Sequence, residues 1–391
     1  MQVGLDHVLR THPRLFKGKR LGILAHPASI DKNYRHILEI LEKESGAKIE
    51  ALFGPEHGFD GHAQDMESVF EKHTTSKSGP QIYSLYGSTY ESLKPQKSWL
   101  NNIEVLVCDM QDVGSRYYTF IYTLAFCMEV AQQTGTHIVV LDRPNPINGY
   151  NVEGNLVSEK FRSFVGYFPL TNRHGMTIGE LAQLFREEFN LKCKLTAIPM
   201  KGWHRRRYFD ELKIPWVFPS PNMPTVETAV VYPGMCLLEG TELSEGRGTT
   251  RPFEIFGAPF IDGEKLVKRL HEFRLPGVRF RPLSFKPGFQ KHAGKICNGA
   301  QIHVTRRKAF LSLLTGVAIL KATYELYPNE FQWRHRAYEF VEDIPAIDLL
   351  SGNKQLREAI EAGAALKKIQ ASWEEEKESF LKIRKNYLIY T

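Results

Sequence analysis

The sequence predicts an α/β protein: a Rossmann-like, mostly parallel sheet domain followed by a smaller α+β C-terminal domain. Three observations carry this. Short apolar runs alternate with amphipathic segments through the first half, as strands joined by crossover helices do. The texture changes near residue 230, where polar and glycine-rich stretches such as 243–251 appear. The 391 residues exceed one ordinary domain, so a division into 1–230 and 231–391 is expected.

The elements follow in order. Residues 20–25 read as a buried strand. Tyr34, Ile37, Leu38 and Leu41 then recur at helical spacing, with Gly46 as a stop. Residues 48–53 form a second strand that breaks at Gly54-Pro55, and 81–86, 103–110, 137–142 and 194–200 read as further strands. Tyr117, Phe120, Ile121, Leu124, Met128 and Ala131 line one face of a long helix. Residues 177–190 make another, with Thr177 as N-cap and Glu180 completing a capping box. Beyond 230 the expected elements are a helix at 262–273, strands at 278–285 and 301–305, and helices in 308–326 and 354–383.

Composition narrows the class. A 42% hydrophobic and 24% charged chain is that of a soluble globular protein, long enough to bury a core without disulfides or structural metal. Five scattered cysteines with no C-x-x-C pair read as buried free thiols. The net charge of +7 favours anionic partners. The densest basic run, Arg205-Arg206-Arg207, is short, however, and reads as a solvated face rather than a nucleic-acid site. No apolar run spans a bilayer, so no membrane partner is expected. The N-terminus lacks a charged region followed by an apolar one, so the chain reads as cytoplasmic as it stands. A periplasmic or secreted chain trimmed of its export signal would read the same. No cofactor is expected: the loop after the first strand has no glycine between Ala25 and Asp31, hence no G-x-G-x-x-G, and there is no Walker lysine loop.

In an open α/β sheet, ligands bind beyond the carboxyl ends of the strands. That rule selects the loops at 26–29, 54–62, 111–116 and 143–149. Glu56, in Gly54-Pro55-Glu56-His57-Gly58, is singled out first. A carboxyl on a tight strand-end loop can be desolvated and raised to serve as a general acid; it can equally cap a helix or pair with an arginine. His57, Asp60, His62 and Asp65 lie at spacings that also permit a divalent ion. Asp112 and Arg116 are placed at the start of the long helix, where Asp112 is a catalytic candidate or an N-cap. Asp142 and Arg143 end a strand as ligand contacts or a structural ion pair, with Asn145 in the same loop. His174 precedes a helix, and Asn222 is held between prolines in Ser220-Pro221-Asn222-Met223-Pro224. Glu245, Arg247 and Arg251 sit in the glycine-rich stretch, where an arginine suits an acidic substrate. Trp203 and Tyr232 stack on a sugar or fill the core.

Six segments in order, 53–59, 109–119, 141–147, 174–181, 220–225 and 238–254, carry a resemblance to the bacterial exo-β-N-acetylmuramidase family that continues to 384–390. The resemblance implies a cleft between the two domains and a small glycan substrate, a muramyl disaccharide or muropeptide. It implies release of N-acetylmuramic acid from the non-reducing end, with Glu56 as the leading catalytic candidate. Asp60 stands where the family usually has a basic residue. On this reading His57 tunes Glu56. A second carboxylate (Asp112, Glu153 or Glu245) or the substrate's own acetamido group completes the chemistry. Arg247 or Arg251 would hold the lactyl carboxylate. The alternatives are a metal-dependent hydrolase using the 56–65 cluster and a non-catalytic muropeptide-binding protein.

Overall fold

The computed structural model describes residues 1–69 and 79–391. Strands β1 (Arg20–Ala25), β2 (Lys48–Gly54), β3 (Gln81–Ser84), β4 (Val105–Asp109), β5 (His137–Leu141) and β6 (Leu195–Ile198) form one sheet. Its order is β3-β2-β1-β4-β5-β6, and every neighbouring pair is parallel. This is the doubly wound arrangement, with its reversal between β1 and β4. Strands β4 and β5 are buried at every position, which is why they read as continuous apolar runs rather than alternating ones. β3 stops at Ser84 rather than at 86, because the Ser84 hydroxyl captures both the N–H and the carbonyl of Tyr86.

Helices α1 (Ile37–Glu44), α2 (Phe120–Thr134) and α3 (Ile178–Glu188) cover this sheet. The capping box of α3 forms: the Thr177 hydroxyl accepts from Glu180 N–H and the Glu180 carboxylate from Thr177 N–H. The start of α2 is a correction. Residues 112–118 run as turns, with Gly114 left-handed at φ +81°, and the helix begins only at Phe120. Asp112 therefore accepts from Gly114 N–H at 2.7 Å and does not cap the helix.

Helix α4 (Val226–Met235) was not anticipated; it is buried on almost every side and contains Pro233, so no amphipathic period marks it. Residue 230 lies within it. A second sheet, order β7-β9-β8, is antiparallel and comprises β7 (Ile255–Ala258), β8 (Val278–Phe285) and β9 (Cys297–Val304). Helix α5 (Gly263–Glu272) packs on it, and α6 (Ser312–Leu326) crosses α4. At that crossing a Cβ on Gly234 would lie 1.9 Å from the Ser312 carbonyl oxygen, so only glycine permits the approach. The helical stretch expected at 354–383 is three helices, Gln355–Glu361, Leu366–Ala371 and Glu374–Arg384, interrupted at left-handed Gly363.

One apolar core runs without a break from β4 and α2 through α4 to α6 and β9, and a second fills the opposite face of the parallel sheet around β1 and α1. All five cysteines are buried and free. Among the described residues, no helix is long and apolar enough to cross a membrane.

Candidate active site

The loop after β2 is shaped by close backbone contact. A Cβ on Gly54 would sit 2.3 Å from Phe59 N, so the chain folds back on itself only with glycine there. Gly58 N–H donates to Pro55 O at 2.9 Å, and His57 and Gly58 are both left-handed, at φ +74° and +84°. The turn aims Glu56 across the strand ends at the start of α2, where the Thr119 hydroxyl donates to its Oε2 at 2.5 Å. Glu56 is only 7% exposed. Burial pushes its carboxyl up to about 7, against the opposing pull of the Thr119 hydrogen bond and Arg247.

His57 Nδ1 lies 2.9 Å from the Ala63 carbonyl. A carbonyl can only accept, so this nitrogen carries the proton. Burial lowers the imidazole to about 4, so it is neutral at neutral pH and pins the 57–63 loop.

The second half of the chain supplies the facing wall. Arg247 Nη2 bonds Glu239 at 2.6 Å and reaches Asp65 at 3.3 Å, and its Nε lies 3.3 Å from Glu245. Lys291 holds the other Glu245 oxygen at 2.9 Å. The Tyr338 hydroxyl donates to Glu239 at 2.6 Å, and the Tyr86 hydroxyl to Glu339 at 3.2 Å. Five acids thus gather here; Arg247 reaches Asp65, Glu239 and Glu245, Lys291 reaches Glu245, and Glu56 and Glu339 pair with neither cation. Burial pushes Glu239 up, but Arg247 and Tyr338 outweigh it and the net shift is down, so Glu239 is ionised. Burial raises Asp65 to about 6 and Glu339 well above the usual carboxylate range, with the neighbouring acids adding to both. One oxygen each of Glu56, Asp65 and Glu339 lie within 4.8 Å of one another. Like charges this close in a buried cleft do not all ionise, so the site retains protons near neutral pH.

The cleft brings together Glu56, His57, Asp65, Asn222, Tyr232 and Arg247 of the expected residues. Asn222 donates to Gln64 at 2.8 Å. Glu245 lies behind Arg247, tied to Lys291. The others are engaged elsewhere. Arg116 is fully buried and donates to the carbonyls of Asn155, Leu170 and Leu350. Asp112 faces His174, whose Nε2 is 3.4 Å away and whose Nδ1 accepts from Met176 N–H. Arg143 grips Asp109 and the Ile30 carbonyl. Asp142 accepts from Thr177, Gly179 and Tyr390. Asn145 bonds Met176 O and Ile147 N. Glu153 pairs with Arg173, and Arg251 is half exposed beside Glu254. These side chains satisfy stranded carbonyls and buried charges. Tyr232 lines the cleft, whereas Trp203 packs edge-on against Tyr390 in the core.

The His57, Asp60, His62 metal cluster does not assemble. Asp60 and His62 are exposed, and among the described residues the group close enough to share an ion is Glu56, Asp65 and Glu339, already beside Arg247. Sequence reasoning missed Glu239, Tyr338, Glu339 and Thr119 as cleft residues, and Tyr86 as the partner of Glu339. Glu239 and Thr119 stood inside quoted motifs; Tyr338, Glu339 and Tyr86 stood in none.

A doubly wound parallel sheet with a buried, protonatable carboxyl at a strand end, walled by acids and an arginine from the second half, defines an α/β enzyme of the acid–base kind. Comparison with known proteins makes the class specific. The family models for exo-β-N-acetylmuramidase NamZ match in succession, the N-terminal one at residues 21–227 and the C-terminal one at 230–390. The chain belongs to the NamZ family. It is 44% identical over 390 residues to the peptidoglycan β-N-acetylmuramidase NamZ of Bacillus subtilis strain 168, covering 100% of this chain and 91% of that one. Crystal structures of two DUF1343 family proteins of Bacteroides fragilis NCTC 9343 match it with TM-scores of 0.89 and 0.79, at 31% and 29% identity. Each covers 100% of this chain and 99% of the other.

Proposed function

We propose that the protein is an exo-acting β-N-acetylmuramidase of cell-wall turnover. It releases N-acetylmuramic acid from the non-reducing end of peptidoglycan fragments, with a muramyl disaccharide or muropeptide as substrate. Residues 1–230 supply the proton donor, and 231–391 complete the cleft. The observation that carries the reading is Glu56, a buried carboxyl raised to about 7 in a cleft lined with further acids. A donor poised near neutral pH protonates the glycosidic oxygen as the bond to the anomeric carbon breaks.

Arg247 is the one arginine or lysine lining the cleft among the described residues, and it is the group suited to the lactyl carboxylate. Asp65, held at 3.3 Å and itself lining the cleft, is the partner a substrate carboxylate would replace. Asp112 and Glu153 face other partners, which favours a second group elsewhere. Ionised Glu239 is the protein carboxylate placed to stabilise positive charge on the sugar ring; the substrate's acetamido oxygen is the alternative nucleophile.

The test is product analysis by mass spectrometry of a muramyl disaccharide incubated with the enzyme. Free N-acetylmuramic acid should appear from the non-reducing end. Internal cleavage of longer glycans, or binding with no product over long incubation, would overturn the reading.

A further inference from the structure

Glu339 reaches the cleft on a tight turn between α6 and the helix Ala346–Ser351. Tyr338 N–H donates to Val341 O at 2.9 Å and Val341 N–H to Tyr338 O at 3.0 Å. Glu339 and Phe340 form the tip, with φ of +44° and +66°. A two-residue turn of this hand is ordinarily filled by Asn-Gly or Gly-Gly, since side chains crowd the left-handed backbone. The side chains explain why neither position is glycine. Phe340 packs on Tyr86 and Tyr90, with ring centroids 5.8 and 6.4 Å away. Glu339 is 3% exposed.

A buried carboxylate is ordinarily paired with a cation, as Asp109, Glu153 and Glu180 are here. Glu339 has no such pair among the described residues; its hydrogen bond comes from the Tyr86 hydroxyl. The groups that face it are Glu56 and Asp65 from the loop after β2, Glu239 beyond α4, and Tyr86 after β3. The nearby Arg247 is engaged with Glu239. The turn thus spends local strain to place an uncompensated acid against Glu56.

We propose that Glu339 is a positioning residue for the reaction: it shares a proton with Glu56 across the cleft and keeps that proton available to the donor. This rests on the reading of Glu56 as donor. When Glu56 gives the shared proton to the glycosidic oxygen, the pair passes from one negative charge to two. The water that completes hydrolysis gives its oxygen to the anomeric carbon and its proton back to the pair.

Glu339→Gln keeps the shape and removes the shared proton. The profile of kcat/KM against pH reports groups of the free enzyme. In the wild type, the last proton leaves only when both carboxyls would be charged side by side; in the variant, Glu56 loses its proton with no charge at position 339, and Asp65 faces it in both proteins. The limb on which activity falls with rising pH should therefore move down by about one unit, and Glu339→Asp should lie between. An unmoved limb overturns the proposal, whatever happens to kcat, because a merely structural role lowers activity equally at every pH. The side-chain carboxyl ¹³C signal of Glu56, titrated in wild type and variant, decides the point without substrate: its midpoint should also fall, and an unchanged midpoint overturns the proposal. If Glu339→Gln does not fold, Glu339→Asp is read by the same two measurements. Failure of the wild type to release N-acetylmuramic acid would instead remove the muramidase reading and leave the titration to judge the pair.

Discussion

Burial of Glu56 sets activity against stability. Its folded value of about 7 lies above that of an exposed glutamate, so the folded state binds its proton more tightly than the unfolded chain does. The sign follows: the contribution to stability is full below the unfolded value of about 4.3 and is lost as pH rises through 7. The shift corresponds to on the order of 3 kcal/mol between the two ends of that window. Thermal unfolding at pH 6 and pH 8.5 should show the wild type losing stability, with Glu56→Gln losing less and melting above the wild type at pH 8.5. Equal losses would mean that Glu56 is not protonated in the fold. At this scale the sequence was a partial guide. It singled out Glu56 for a stated reason. It also offered Arg116, Arg143, Asp142 and Glu153, which are absorbed by stranded carbonyls and buried partners. Which carbonyls are stranded depends on the tertiary path and cannot be read from a loop's composition.

Among the elements, β2 and its turn matter most. The strand delivers Glu56 only because the chain reverses against the backbone of Phe59 at Gly54. Gly54→Ala should destabilise the protein by roughly 2–4 kcal/mol, as other changes that force buried backbone apart do, and should reduce activity beyond what the unfolded fraction explains. Urea midpoints and initial rates check both; a variant with native stability would show that the turn has slack. The parallel strands were legible because each is a short apolar run between turn residues, and α3 because its capping box is a local device. Helix α4 and strand β7 were not: α4 is apolar all round with an internal proline, and β7 is four residues buried at every position with Gly257 among them. Pattern needs either a polar face or length.

For the whole molecule, the cleft is a product of the chain's return on itself. Glu56 and Asp65 come from the parallel sheet, and Glu239, Arg247, Tyr338 and Glu339 from segments beyond it. The Arg116 guanidinium on the Leu350 carbonyl and the C-terminal tail, whose Tyr390 bonds Asp142, tie the two parts together. About 30 Å³ is free between them, about one water's share, whereas ligand pockets are on the order of 300 Å³ or more. Admitting a sugar therefore requires the cleft to widen. The central claim is that Glu56 is the proton donor, and leaving-group dependence tests it most directly. Glu56→Gln should cut kcat/KM on a muramyl disaccharide by about 10²–10⁴-fold. It should cost far less on a 2,4-dinitrophenyl muramide, whose leaving group departs without a proton. Equal losses on both substrates, or near-wild-type activity on the disaccharide, would contradict the account.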